Sequence, residues 1–129
     1  MSGLLLDTHA WVWSFSDGTR LSSAARAAIL EADAVYVSPI SFFEIGQKVR
    51  IGKWPEMVGR APDLPQILVD QGGIQAPLTA EICIDAGLWD WPHRDPFDRL
   101  IAATARVLDL SLVSCDTVFA GLDDLTLLW

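Results

Sequence analysis

His93-Arg94-Asp95-Pro96-Phe97-Asp98-Arg99-Leu100-Ile101-Ala102-Ala103-Thr104-Ala105, followed shortly by Leu112-Val113-Ser114-Cys115-Asp116, is the stretch on which the fold turns. Its first half opens a helix. Asp95 suits the N-cap, Pro96 the first helical position, and Asp98 the first turn, where an acid is favoured. Phe97, Leu100, Ile101, Thr104, Val107 and Leu108 recur at helical spacing and predict one apolar face. Leu110 to Val113 is a short apolar run after a helix, as a buried parallel strand would be. In open α/β sheets, ligands lie outside the carboxyl ends of the strands and beside helix N-termini. Asp98 and Asp116 are both expected there.

The same alternation runs through the rest of the chain. Gly3 to Leu6 reads as a strand ended by Asp7, and Thr8 to Phe15 as a helix broken by Asp17-Gly18. Ser22-Ser23 caps a helix through Ala32, and Ala34 to Val37 is a second strand. Ser38-Pro39 opens a third helix carrying Ile40, Phe43, Glu44, Ile45, Lys48 and Val49, which Gly52 ends. Residues 53–62 are the least regular. Leu64 to Gln71 is helical, Ile74 to Ala76 a short strand, and Thr79 caps a helix through Leu88. Thr117 to Ala120 is a single turn, and Leu125 to Trp129 an edge strand. This βαβα order predicts one domain over 1–129, an α/β fold with a mostly parallel sheet covered by helices on both faces.

A chain of 129 residues, half of them apolar and a fifth charged, has a globular composition. Nine Lys plus Arg against seventeen Asp plus Glu give a charge of −8, which argues against a broad basic nucleic-acid face. It leaves room for a nucleic-acid enzyme whose acids are partly neutralised by metal. Cys83 and Cys115 lack zinc-type spacing and are expected as small buried hydrophobes in a reducing cytosol. Leu4-Leu5-Leu6 has no basic region before it and meets Asp7 at once, so no signal peptide is expected. No apolar run approaches membrane-spanning length.

On this reading Asp7, Asp98 and Asp116 share the C-terminal edge of the sheet, and Glu44 lies about one and a half turns into a helix starting there. Gathered carboxylates repel one another, and burial raises their pKa values unless positive charge intervenes. An all-oxygen set without clustered His or Cys selects a hard ion, Mg²⁺ or Mn²⁺, over zinc. Such an ion can lower the pKa of an attacking water and stabilise a transferring phosphoryl group, which points to phosphate-ester hydrolysis. Each acid also has a plainer role. Ser41-Phe42-Phe43-Glu44 matches a capping box, Asp95 and Asp7 are satisfactory N-caps, Asp98 favours a helix dipole, and Asp116 can start a turn. His9 and His93 read as supporting or surface residues rather than ligands.

The motifs together resemble PIN-domain ribonucleases, more narrowly the VapC-type toxins of bacterial toxin–antitoxin pairs. They are Leu4-Leu5-Leu6-Asp7-Thr8-His9, Ser41-Phe42-Phe43-Glu44-Ile45, His93 through Ala103, and Leu112-Val113-Ser114-Cys115-Asp116. The resemblance implies a three-layer α/β/α sandwich on a parallel sheet of four or five strands. It also implies a Mg²⁺- or Mn²⁺-dependent endoribonuclease, a homodimer, and inhibition by a cognate antitoxin. Asp7, Glu44, Asp98 and Asp116 match the family's acidic active-site positions. Asp95 matches an acid frequent in this branch, and Ser114 stands where the family often has Thr.

Lys48, Arg50, Lys53 and Arg60, with Trp54 among them, form the one basic cluster and read either as an RNA track with a stacking base or as a solvated face. Trp11, Trp13, Trp89, Trp91 and Trp129 are expected mostly in the core, with one or two free to face a dimer or antitoxin groove. Arg99 is expected to moderate the repulsion between acids. Three rivals share parts of the pattern. A haloacid-dehalogenase phosphatase needs a second acid where His9 stands, and a receiver domain needs paired acids near its first strand and a late Lys. The third is an idle α/β binding or signalling module whose acids only cap helices.

Overall fold

In the computed structural model, which describes residues 3–129, five strands run in one sheet: β1 (Gly3–Leu6), β2 (Ala34–Val37), β3 (Ile74–Gln75), β4 (Ser111–Val113) and β5 (Thr126–Leu128). All four pairings are parallel and the order is β3-β2-β1-β4-β5. Leu5 of β1 pairs with Tyr36 on one side and Leu112 on the other, so β1 is the central strand. The chain winds outward from β1 through β2 to β3, then returns to β4 on the opposite side. The crevice of a parallel sheet opens at such a reversal, here between β1 and β4.

Helices cover both faces, as the βαβα order requires: α1 (Thr8–Ser16), α2 (Ser23–Glu31), α3 (Pro39–Arg50), α4 (Leu64–Asp70), α5 (Ala80–Leu88) and α6 (Pro96–Val107). Successive residues of a strand point to opposite faces. Leu4 and Leu6 therefore pack with Trp11, Leu21, Ile45 and Leu68, while Leu5 packs with Ile101, Ala102, Ala105 and Leu112. The result is a three-layer α/β/α sandwich. Trp11 is fully buried, and its indole N–H donates to Gln71 Oε1 at 2.8 Å, leaving no orphaned donor.

The predicted helix starts hold in detail. Asp95 caps α6 through its side chain, Pro96 is its first residue, and Ser38, Thr79 and Ser22 cap α3, α5 and α2. Gly52, at φ 75°, follows α3 in a left-handed conformation that glycine adopts without steric cost. Strand ends are shorter than predicted, because Leu110, Ala76, Leu125 and Trp129 fall outside the ladders.

Three expectations need correction. The buried surface of α6 is not one stripe of large residues: Ile101, Ala102, Ala103, Thr104 and Ala105 are all buried, since α6 lies between the sheet and α5. Its alanines let both neighbours approach closely. Among the tryptophans named for the core only Trp11 is fully enclosed; Trp13, Trp89 and Trp91 are half-buried and Trp129 is exposed. Cys83 and Cys115 are both exposed free thiols, on the outer side of α5 and in the loop after β4. No helix among the described residues is long and apolar enough to cross a membrane.

Candidate active site

Two carboxylates meet at the reversal from the ends of neighbouring strands. Asp7 follows β1, and its Oδ1 accepts the Ala10 backbone N–H at 2.7 Å, capping α1. Asp116 follows β4, and its Oδ1 accepts the Val118 N–H at 3.0 Å. Ser114, fully buried, stands beside both: its hydroxyl oxygen accepts the Asp116 N–H at 3.0 Å, and its hydroxyl opposes the rise of the Asp7 pKa.

Asp98 comes to the same place from the first turn of α6. Its Oδ2 lies 2.7 Å from Nε2 of His93. The Asp95 carboxylate accepts the backbone N–H groups of Phe97 at 2.8 Å and Asp98 at 3.4 Å, so its cap orients the turn that carries Asp98. Glu44, buried in α3, closes the opposite wall. Its Oε1 accepts the Thr8 hydroxyl and its Oε2 faces Lys48 Nζ, each at 2.7 Å. Ser38 rather than Ser41 caps α3, and the Ser41 hydroxyl instead lies 2.8 Å from that of Thr8. The capping-box role for Glu44 is thereby excluded.

Asp7, Glu44, Asp95, Asp98 and Asp116 all line one cavity of about 260 Å³. Burial raises the Asp7 carboxyl above its ordinary range, against the pull of Ser114 and the Ala10 N–H. Burial likewise pushes Asp98 up to about 6, with the negative charges of Asp95 and Asp116 adding to it and His93 opposing it. These groups are costly to ionise as they stand, and a cation between them removes that cost. Among the described residues, His93, Asp95 and Asp98 are the one trio of His, Cys, Asp or Glu donors whose ligand atoms lie within 4.8 Å of one another. Asp7, Asp98 and Asp116 are more widely spaced around the cavity. A hard divalent ion that retains part of its water shell fits an oxygen-rich ring of that kind, so the residues present suit Mg²⁺ or Mn²⁺.

Arg99 does not neutralise the acids, contrary to expectation. Its guanidinium donates to the backbone carbonyls of Ala86, Trp91 and His93 at 3.0, 2.6 and 2.9 Å, and to those of Gly87 and Trp89. It therefore fixes the loop from α5 to α6, which carries His93 to Asp98. Nothing in the spacing of residues revealed this, because carbonyls from the last turn of α5 and from the irregular loop after it leave no side-chain pattern.

The basic cluster is rearranged relative to its predicted membership. Lys48, Lys53 and Trp54 line a groove of about 540 Å³ beside the acidic cavity, together with His9, Trp13 and Arg20. Arg50 is exposed and lies outside it, and Arg60 lines the adjoining hollow with Trp13, Arg20 and Trp54. Arg20 was missed because it sits far from the others in sequence, just after α1. Lys48 is more than a basic residue of this cluster: its i,i+4 spacing from Glu44 is the ion-pair spacing of a helix.

A PIN-domain family model matches residues 4–125. The chain is 30% identical over 119 residues to ribonuclease VapC22 of Mycobacterium tuberculosis, spanning 90% of this chain and 88% of that one. Two solved structures share the fold. One is a toxin–antitoxin complex from Klebsiella pneumoniae, at a TM-score of 0.64, 17% identity and 95% coverage of both chains. The other is VapBC2 from Rickettsia felis bound to a DNA fragment from its promoter, at a TM-score of 0.67 and 18% identity, covering 97% of this chain and 96% of that one.

Proposed function

Because the chain belongs to the PIN-domain family, we propose that it is a metal-dependent endoribonuclease, the toxin of a toxin–antitoxin pair. The observation that carries this reading is the convergence of Asp7, Asp98 and Asp116, from three separate segments, on one cavity at the reversal of a parallel sheet. Raised pKa values at Asp7 and Asp98 support it, since caps alone do not require buried, mutually repelling acids.

Asp7, Asp98 and Asp116, with Glu44 on the facing wall, would hold Mg²⁺ or Mn²⁺. Bound there, the ion supplies a more acidic water and charge stabilisation for the phosphoryl oxygens. The protein's own residues do the positioning. His93 engages one oxygen of Asp98, Ser114 holds the Asp116 backbone beside Asp7, and Asp95 sets the turn from which Asp98 projects. In the reaction, water oxygen bonds to phosphorus, one P–O ester bond breaks, and the departing oxygen takes up a proton. No side chain attacks covalently. A cognate antitoxin belongs to the same proposal, supported by the toxin–antitoxin complex and VapBC2 among the structural relatives; a homodimeric assembly and a cytoplasmic location are proposed with it.

The test is cleavage of a labelled single-stranded RNA with Mg²⁺ or Mn²⁺ and with chelator. Asp98→Asn and Asp7→Asn should each lose roughly a thousandfold in rate, because several kcal/mol of charge stabilisation is at stake and each 1.36 kcal/mol is tenfold. Cleavage at the wild-type rate by either folded variant, or in excess chelator, refutes the reading.

A further inference from the structure

The groove next to the acidic cavity has a composition that phosphate-ester chemistry does not need. Three aromatic rings line it. His9 stacks on Trp54 with centroids 4.8 Å apart and planes 23° from parallel, and lies 5.8 Å from Trp13. Cations sit over both indoles, Lys48 at 5.5 Å from the Trp54 ring and Arg20 at 5.2 Å from the Trp13 ring. Lys53 adds a third cation to the same groove, against one acid, Glu56. With Arg60 in the adjoining hollow, four of the nine basic residues of a chain carrying −8 gather on this one side. His9, Trp13 and Lys48 also line the acidic cavity, so the groove and the cavity are continuous.

We propose that this groove is a nucleobase subsite, which stacks one unpaired base of single-stranded RNA on the Trp54–His9–Trp13 rings while Lys53 and Arg20 take the flanking phosphates. It rests on the nuclease reading for its ligand and adds what that reading lacks, a selector for unpaired substrate. Stacked π faces accept any base but only one that has left a helix, and cations beside them track a backbone. A base paired within a duplex cannot offer its face to the three rings that line this groove. An acidic peptide would be drawn to the same cations, but it gains little from the ring stack and has no reason to share a wall with the carboxylates.

Binding read without catalysis tests the proposal. A fluorescent single-stranded octamer RNA is titrated onto the full chain in EDTA, alongside a duplex of the same sequence and a 2-aminopurine-substituted octamer. The single strand should bind at least about tenfold more tightly than the duplex, and the 2-aminopurine should be quenched on binding. Trp54→Ala should lose about tenfold in affinity, as the removal of one stacking ring does, while Trp54→Phe retains most of it. Lys53→Ala combined with Arg20→Ala, both at exposed positions, should lower the salt slope by about 1.4, the value for two single-strand phosphate contacts. Equal binding of duplex and single strand overturns the subsite. So does unchanged RNA affinity in the Lys53/Arg20 variant and in a folded Trp54 variant; RNA-independent binding of an acidic peptide there would identify the groove as a protein site instead. Selective binding without cleavage in Mn²⁺ would leave the subsite standing and remove the proposed reaction. Cleavage that ignores these substitutions would do the reverse.

Discussion

The two walls of the acidic cavity use the same functional group in opposite ways. On the wall built from β1, β4 and α6, Asp7, Asp98 and Asp116 are held mostly by backbone N–H groups, one serine and one imidazole, and burial makes Asp7 and Asp98 reluctant to ionise. On the wall built from α3, Glu44 is more buried than any of them but carries its own cation: Lys48 faces one oxygen and the Thr8 hydroxyl the other. One wall stores unfavourable electrostatic energy that a divalent ion would relieve. The other has already relieved it within the protein. Carboxylate identity alone therefore does not rank these residues; what each one is bonded to does.

The largest difference should appear in metal-linked stability. An ion that binds only the folded state stabilises it by RT ln(1 + [L]/Kd), about 2.7 kcal/mol at a hundredfold excess over Kd. Thermal melts with saturating Mn²⁺ should rise by several degrees for the wild type, not at all for Asp7→Asn or Asp98→Asn, and by most of the wild-type amount for Glu44→Gln. An equal loss of the Mn²⁺ shift in all three variants would show that the walls act alike, and the comparison would fail.

The pH dependence sharpens it further. A carboxyl raised in the folded state to about 6 contributes stability that is complete below its ordinary 3.8 and is lost as pH climbs through 6. In EDTA, Asp98→Asn should consequently melt above the wild type at pH 7 and coincide with it near pH 4. Because Asp98 is partly exposed, the gain at neutral pH is discounted to on the order of 1 kcal/mol. Metal-dependent cleavage runs the other way and should fall below pH 6, since Asp98 must be ionised to hold the cation. Thermal melts in EDTA from pH 4 to 8, paired with cleavage rates over the same range, check both signs. A variant less stable than the wild type throughout would place the strain elsewhere.

The wall with the strained acids was legible in the chain, and the reason is local. Asp95-Pro96-Phe97-Asp98 carries its own cap and helix-start chemistry, and Leu4-Leu5-Leu6-Asp7 and Leu112-Val113-Ser114-Cys115-Asp116 each place an acid just past a buried strand. Once the sheet is parallel, those acids share an edge. The facing wall was only half legible: the depth of Glu44 in its helix follows from Ser38-Pro39, but its bond to Thr8 links residues 36 apart. The same limit explains Arg99, whose partners are main-chain carbonyls, and Arg20, which joins Lys53 only because α1 and the segment after α3 pack side by side. The misplaced tryptophans have another cause. Size predicts burial for an aromatic residue in a small domain, but Trp13 and Trp89 stay half-buried with cations, Arg20 and Arg106, over their rings.

The smallest effect tests whether Lys48 really stands in for a metal on the α3 wall. Lys48→Met keeps much of the apolar stem and removes the charge, leaving Glu44 buried with only the Thr8 hydroxyl for company. Lys48 is itself partly exposed, so the metal-free variant should lose about 1 kcal/mol, nearer the value of a solvated ion pair than of a sealed one. Mn²⁺ should then bind a few-fold more tightly than in the wild type, because the freed carboxylate adds its charge to a cavity that already attracts cations, and the melting deficit should close as Mn²⁺ is added. Calorimetric titration of the two proteins at pH 7 reads this directly. An unchanged or weaker Mn²⁺ affinity would mean that Glu44 and Lys48 form a sealed structural pair facing the cavity without serving it, and that the cation is held by the opposite wall alone.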